Sequence, residues 1–153
     1  MSPRSRTNQL LYQAELLVGL PVGDDEHSPA RRMAIEESAL ALFELALGSL
    51  LKEVTEHARL TNHDWRALLA NDGPDVAELQ RLRDAMHQPD HWLHWLVGQL
   101  DKLHSDEGAA RRTVQNPAMI AVGSQRSLAE QLLDNLAAAK REIASLRETS
   151  EEW

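Results

Sequence analysis

The sequence predicts an all-α protein, a bundle of five or six helices around a buried central helix that spans about residues 28–59. Leu and Ala dominate the composition, and such unbranched side chains favour helix because they lose little rotamer freedom there. The segment 28–59 is apolar around most of its circumference, so other elements must cover it on nearly all sides. A chain of 153 residues can bury one sizeable core, and we expect a single helical domain over residues 1–153.

The first two helices have clear start signals. The first helix is expected to begin at Ser2-Pro3 or near Thr7. Its apolar residues recur at helical spacing as Leu10, Leu11, Ala14, Leu17 and Val18. After a polar loop, Ser28 is expected to cap the central helix, with Pro29 at the first helical position.

Three shorter helices are expected next, over about residues 62–70, 75–87 and 90–104. Pro89 cannot donate a helical hydrogen bond, so it separates the last two, and Asp90 is the expected cap of the third. That third helix should bury an apolar face made of Trp92, Leu93, Leu96, Leu100 and Leu103.

A long strap over about residues 105–126 precedes the C-terminal helix. A structureless loop of that length is uncommon in a compact domain, so we expect Met119, Ile120 and Val122 to hold it on the bundle. The C-terminal helix carries a single apolar seam with coiled-coil spacing, which packs on its own bundle or on a second copy. Its candidate interface residues are Leu132, Leu136 and Ile143.

Charge and composition exclude several classes of protein. The formal net charge of −8 disfavours binding to nucleic acid and to anionic membranes. The absence of cysteine excludes disulfide scaffolds, thiolate metal sites and cysteine nucleophiles. The N-terminus has no apolar signal region, and Glu44 interrupts the apolar run of the central helix, so we expect a cytoplasmic protein without membrane contact.

A histidine-rich stretch contains the candidate metal ligands His87, His91 and His94. His91 and His94 form an H-x-x-H pair on one helix face, a spacing that can hold two ligands. However, Pro89 separates them from His87, and both lie opposite the leucine face, which predicts that they point to solvent. The H-E-x-x-H and E-x-x-H patterns are absent, so we expect solvated or capping histidines and no metal or other cofactor. A metal or small-ligand binder stays an alternative.

Arg81, Arg83 and His87 form a second candidate set. The spacing Arg81-x5-His87 resembles the R-x(4–6)-H pattern of HEPN-type ribonucleases, which are small dimeric helical bundles. The resemblance implies that the histidine handles a proton and the arginine the charge of an RNA phosphate. Leu82 departs from the polar residue that usually follows the arginine in that family. Because short patterns often arise by chance, a surface role for these residues is favoured.

Two further positions on the predicted helices carry polar or aromatic groups. Glu37 and Glu44 share the narrow polar stripe of the central helix, so we expect both to be exposed. If another element covers that stripe, Glu44 becomes a buried acid that needs a partner such as an arginine. Trp95 should lie at the edge of the core, as a core residue with a solvated N–H or as an interface anchor.

The two ends of the chain resemble a family of short bacterial proteins carried as a domain of unknown function. The resemblance rests on the opening run Arg6 to Tyr12 (RTNQLLY) and the closing run Arg147 to Trp153 (RETSEEW), and covers nearly the whole chain. It implies a cytoplasmic helical protein and brings no activity, cofactor or catalytic residue. It also implies that polar groups of these runs, including Asn8, tie the first and last helices together.

These observations favour a non-enzymatic interaction or adaptor protein of a bacterial cytoplasm, which binds a protein partner or a second copy of itself. The reasons are a large core, an acidic surface and the lack of a complete catalytic set. The first alternative is a HEPN-like RNA-acting enzyme that uses Arg81 or Arg83 with His87. The second is a metal or small-ligand binder that uses His91 and His94 with His87.

Overall fold

The all-α fold is confirmed by a computed structural model, which describes residues 1–110 and 126–151, with side chains up to Thr149. Within these ranges the chain forms six α-helices and one 3-10 turn, and no strand. They are α1 (Pro3–Val18), α2 (Ser28–Val54), the 3-10 turn (Glu56–Ala58), α3 (Trp65–Leu68), α4 (Ala77–Met86), α5 (Trp92–Leu103) and α6 (Leu128–Glu151). Most of the predicted strap, including Met119, Ile120 and Val122, lies outside the described residues.

The central position of α2 is also confirmed, because α2 packs against α1, α3, α5 and α6. Its buried apolar residues are Ala39, Leu40, Phe43, Ala46, Leu47, Leu50, Leu51 and Val54. A polar contact lies between α1 and α2, where the hydroxyls of Thr7 and Ser49 are 2.9 Å apart. Both hydroxyls also lie 2.9 Å from the carbonyl oxygen of Pro3, so this buried polar group is satisfied.

The ends and the outer side of α2 differ from the prediction. Ser28 is the first helical residue rather than the cap, and His27 before it makes no side-chain capping hydrogen bond. The helix ends at Val54 instead of near residue 59, and Arg59, the residue that caps the following 3-10 turn, is in the left-handed region (φ 50°). One side of α2 is open to solvent, where Leu45 is 55% exposed. The prediction that α2 is covered on nearly all sides is therefore wrong along this side.

The connecting helices are shorter than predicted. α3 is a single turn, and the carboxylate of Asp64 caps it by accepting the backbone N–H of Arg66. His91, not Asp90, caps α5, because its Nδ1 accepts the backbone N–H of Leu93 at 3.0 Å. The predicted inward face of α5 is confirmed at Trp92, Leu93, Leu96 and Leu100, all of which are buried.

The apolar seam of α6 packs on the same chain. Leu132, Leu136 and Ile143 are buried in the core that α6 shares with α1, α2 and α5. The interface expected for these three residues is therefore replaced by intramolecular packing. The physical reason is that α2 and α5 need a third apolar surface to cover them, and the seam of α6 supplies it.

Candidate functional site

Arg83, one of the predicted catalytic residues, is a buried structural anchor. Its side chain is 4% exposed, and its Nη2 donates to the carbonyl oxygens of Leu68 at 2.7 Å and Pro74 at 2.6 Å. Gly73 lies so close that a Cβ there would be 2.6 Å from the same Nη2. Arg83 therefore closes the loop between α3 and α4, and its guanidinium does not face a substrate.

The other two residues of the ribonuclease-like set do not join Arg83. Arg81 is exposed and its Nη2 donates to Oγ of Ser145 on α6 at 3.2 Å. His87 is the exposed C-cap residue of α4. All three residues are described, and no hydrogen bond or ion pair joins any two of them, so one chain does not assemble the set.

The histidines of the predicted metal set also have separate roles. His91 is largely buried, which corrects the expectation that it points to solvent. Its Nε2 pairs with the Glu142 carboxylate, and its Nδ1 accepts from the N–H of Leu93, so both ring nitrogens are used. His94 is exposed, with Nδ1 2.9 Å from the carbonyl oxygen of Met86. Among the described residues no group of three or more His, Cys, Asp or Glu side chains is placed to hold a metal ion.

The tryptophan expected at the core edge lies there. Trp95 is half-buried, and its Nε1 donates to Oε1 of Gln131 on α6 at 2.8 Å. The indole N–H is thus satisfied within the chain, and the residue connects α5 to α6. Its role as an interface anchor stays a prediction.

Glu44 is a covered carboxylate, contrary to the expectation that it is exposed. Its Oε2 accepts the indole N–H of Trp65 at 2.9 Å, and Nε2 of His104 lies 2.8 Å from Oε1. A guanidinium nitrogen of Arg66 is 3.6 Å away. The cluster therefore joins α2, α3 and the C-terminal end of α5.

Two acids, Glu36 and Asp25, have environments that shift their pKa values. Glu36 is buried on α2, and burial raises the pKa of its carboxyl, against an opposing effect of Arg32 one turn earlier. In the α1–α2 loop, a hydrogen bond from Arg31 at 2.6 Å lowers the pKa of the exposed Asp25 carboxyl.

The clearest surface feature is an exposed apolar face along α1. We name it the α1 face and define it by Tyr12 (58% exposed), Leu16 (52%), Leu20 (52%) and Leu133 of α6 (45%). Tyr12 and Leu16 are four residues apart, so they lie on one side of the helix. Leu20 follows directly after the end of α1.

Leu133 of α6 is included in the α1 face because the antiparallel packing of α1 and α6 places it beside the end of α1. Glu15 pairs with Lys140, and an Nη2 of Arg147 donates to the carbonyl oxygen of Arg4 at 3.4 Å. Leu133 is two turns before Lys140, so it lies on the same side of α6, about 10 Å further toward the end of α1. Arg147 thus contacts the first helix at Arg4, outside the run Arg6 to Tyr12, so a link through the polar groups of that run stays a prediction.

The part of the α1 face that lies on α1 carries almost no charge. Between Arg6 and Asp24 the sequence has one charged residue, Glu15, and that carboxylate is paired with Lys140. The sequence pattern of α1 predicts its inward stripe, and the exposed apolar residues lie outside that stripe. The exposed apolar side of α1 could have been recognised from this uncharged run, because it has large apolar residues at i and i+4 that lie outside the buried stripe.

The fold and this surface define a small all-α bundle protein with an exposed, uncharged helical face. The chain belongs to a family of unknown function, DUF6586, whose family model matches residues 1–153. This membership confirms the resemblance seen at the two ends of the sequence. Comparison with curated proteins and with solved structures gives no match. Across residues 1–110 and 126–151, no helix has both the length and the apolar character needed to cross a membrane.

Proposed function

We propose that the protein is a non-enzymatic interaction module that self-associates through the α1 face. The observation that carries the proposal is that Tyr12, Leu16, Leu20 and Leu133 are each about half exposed. Helix spacing and the Glu15–Lys140 pair between α1 and α6 place them along one side of the bundle. Contiguous exposed apolar patches are typical of interaction sites, and interface centres are poor in charge and rich in tyrosine.

Charge supports a second copy as the occupant of this face. Each chain carries a formal net charge of −8, so two copies repel each other across most of their surfaces. Contact through a face without net charge keeps that repulsion small while apolar area is buried. A partner that recognises this face must likewise present an uncharged apolar surface, and a second α1 face has that character.

The helix also suits a symmetric contact. Homodimers commonly use the same patch on both subunits around a two-fold axis. An axis near Leu16 would place Leu16 against its counterpart and Tyr12 opposite Leu20 of the second copy. The face is small, so we expect a reversible dimer at the low end of interface size, about 1,200 Å² in total.

Sedimentation equilibrium over a series of concentrations tests the proposal. The wild-type mass should rise from 17.2 kDa toward twice that value as the concentration increases. Leu16→Glu should stay monomeric, because a carboxylate would be buried without a partner in the contact. Leu45→Glu is the matched control, since Leu45 is 55% exposed on α2 outside the α1 face, and it should dimerise as the wild type does.

A wild-type monomer at the highest concentration would overturn self-association. A dimer that Leu16→Glu leaves intact would overturn the assignment to the α1 face. Circular dichroism of both variants confirms that helix content is kept. A bacterial cytoplasm, which the sequence resemblance implies, stays the proposed location.

A further inference from the structure

A second surface lies on the other flank of α1. It is an open groove of about 610 Å³ between the start of α1, the middle of α2 and the residues around α3. We name it the α1–α2 groove. Arg6 and Leu10 line it from α1, on a different side of that helix from Tyr12 and Leu16. The groove is therefore independent of the self-association proposed above.

The floor of the groove is apolar and open. Gly48 lies in it, and a Cβ added there would have no heavy atom within 4 Å. Leu45 is one turn before Gly48 and is 55% exposed, and the Trp65 ring forms part of the opposite wall. The missing side chain at Gly48 thus leaves room above α2 for an apolar group from another molecule.

The acidic groups of the groove are already engaged. Glu44 accepts the indole N–H of Trp65 and pairs with His104, and it also lies 3.6 Å from Arg66. The Asp64 carboxylate caps α3 through the N–H of Arg66. Both carboxylates keep their negative charge, but Arg66 lies beside Glu44 and offsets part of it, and the Asp64 carboxylate points to the start of α3.

Besides Arg66, the rim carries Arg6 and Lys52, and neither forms an ion pair with a residue in the described part of the chain. Arg6 donates from Nη1 to the neutral Oε1 of Gln9 at 2.6 Å, which leaves its charge unbalanced. Lys52 is exposed and forms no ion pair with any residue of the described part of the chain. A chain with a formal net charge of −8 thus concentrates unpaired positive charge beside an apolar floor.

We propose that the α1–α2 groove binds an acidic peptide segment of a partner protein. An apolar side chain of the segment lies over Gly48 against Leu45, and its carboxylates pair with Arg6 and Lys52. An open groove with an apolar floor suits a peptide, because apolar and charged side chains of the peptide can bind at different points along the groove. Nucleic acid fits less well, because a continuous phosphate backbone would also meet the acidic remainder of the surface.

The test begins with selection of a displayed library of random peptides, each about 12 residues or three helical turns long, on the full-length protein. Enriched sequences should be rich in Asp and Glu and carry a large apolar residue. The best of them, made as a labelled synthetic peptide, is then titrated by fluorescence polarisation. Gly48→Trp should weaken its binding at least about tenfold by filling the floor.

Two matched controls separate the groove from general effects. Gly98→Trp places the same side chain on α5, where a Cβ also has no heavy atom within 4 Å, and it should leave binding unchanged. Lys52→Glu should weaken binding, whereas Lys102→Glu, the same charge change on the exposed side of α5, should not. Lys52 is on the surface, so this pair keeps the test valid if Gly48→Trp fails to fold.

Three results would overturn the proposal that the groove binds an acidic peptide. Failure to enrich acidic peptides overturns the proposal, as does a peptide that binds wild type and Gly48→Trp equally. A single-stranded RNA of about 12 nucleotides that binds the groove more tightly than any peptide, with the same sensitivity to Lys52→Glu, also overturns it in favour of a polyanion site. The Leu16→Glu monomer should bind the peptide as the wild type does, so this test does not depend on dimer formation.

Discussion

The carboxylate of Glu44, in the middle of α2, accepts a hydrogen bond from Nε1 of Trp65, the first residue of α3, at 2.9 Å. Nε2 of His104, the residue that caps the C-terminus of α5, lies 2.8 Å from the same carboxylate. One acid on the central helix therefore holds two other elements in place. The cluster also forms one end of the α1–α2 groove.

Glu44→Ala should lower the free energy of unfolding by about 1–3 kcal/mol, because the buried indole N–H of Trp65 loses its acceptor. Urea denaturation followed by circular dichroism measures the change. Glu148→Ala is the control, since it removes an exposed carboxylate of α6 and should change stability by less than about 0.5 kcal/mol. Equal midpoints for the two variants would show that Glu44 does not connect the elements.

Glu36→Gln should stabilise the protein at neutral pH. Burial raises the pKa of Glu36 in the folded chain above its unfolded value, so the ionised carboxylate destabilises the fold. This penalty is fully present above the folded pKa, shrinks as the pH falls through it, and is lost once the pH is below the ordinary value of 4.5. Urea midpoints of wild type and variant should therefore differ at pH 7 and converge in acid. A difference that persists in acid would contradict this account.

Arg83→Met should cost about 3 kcal/mol or more, because the carbonyl oxygens of Leu68 and Pro74 lose a charged donor in a buried loop. Arg81→Met, two residues earlier on α4, removes an exposed side chain and should cost less than about 1 kcal/mol. Chemical denaturation of the pair gives the comparison. If Arg81→Met is the more destabilising change, the anchor role of Arg83 is wrong.

Zinc should not raise the melting temperature. Both ring nitrogens of His91 are used within the chain, so it has no lone pair for a metal, and a ligand that binds the native state must stabilise it. Thermal melts with and without Zn²⁺ test this expectation. A rise that disappears in the double variant His91→Ala/His94→Ala would instead support the metal-binding alternative.

Single-stranded RNA should remain intact when incubated with the protein. Arg83 is committed to the α3–α4 loop and Arg81 contacts Ser145, so neither arginine of the predicted set is placed to hold a phosphate for His87. Gel analysis of the RNA gives the result. Cleavage by wild type that is lost in His87→Ala, with unchanged helix content, would support the HEPN-like alternative.

The helices and their inward faces were predictable because apolar periodicity depends only on local helix geometry. Leu10 and Leu11 of α1 and Leu96 and Leu100 of α5 are buried as their spacing indicates. The capping of α5 was not predictable in the same way. Asp90 and His91 both have a side-chain atom that can accept a backbone N–H at the start of α5. His91 is the residue that does so, and its pairing with Glu142 of α6 holds the imidazole ring in place.

By itself the sequence determined the all-α class, the central helix and most of the apolar residues that α1, α5 and α6 bury. Tertiary structure decided the polar contacts, because these join residues far apart in the chain. Glu44 and His104 are 60 residues apart, and His91 and Glu142 are 51 apart. Their pairing depends on how the helices pack, and so does the outer side of α1, which is exposed because α2 and α6 cover only its other sides.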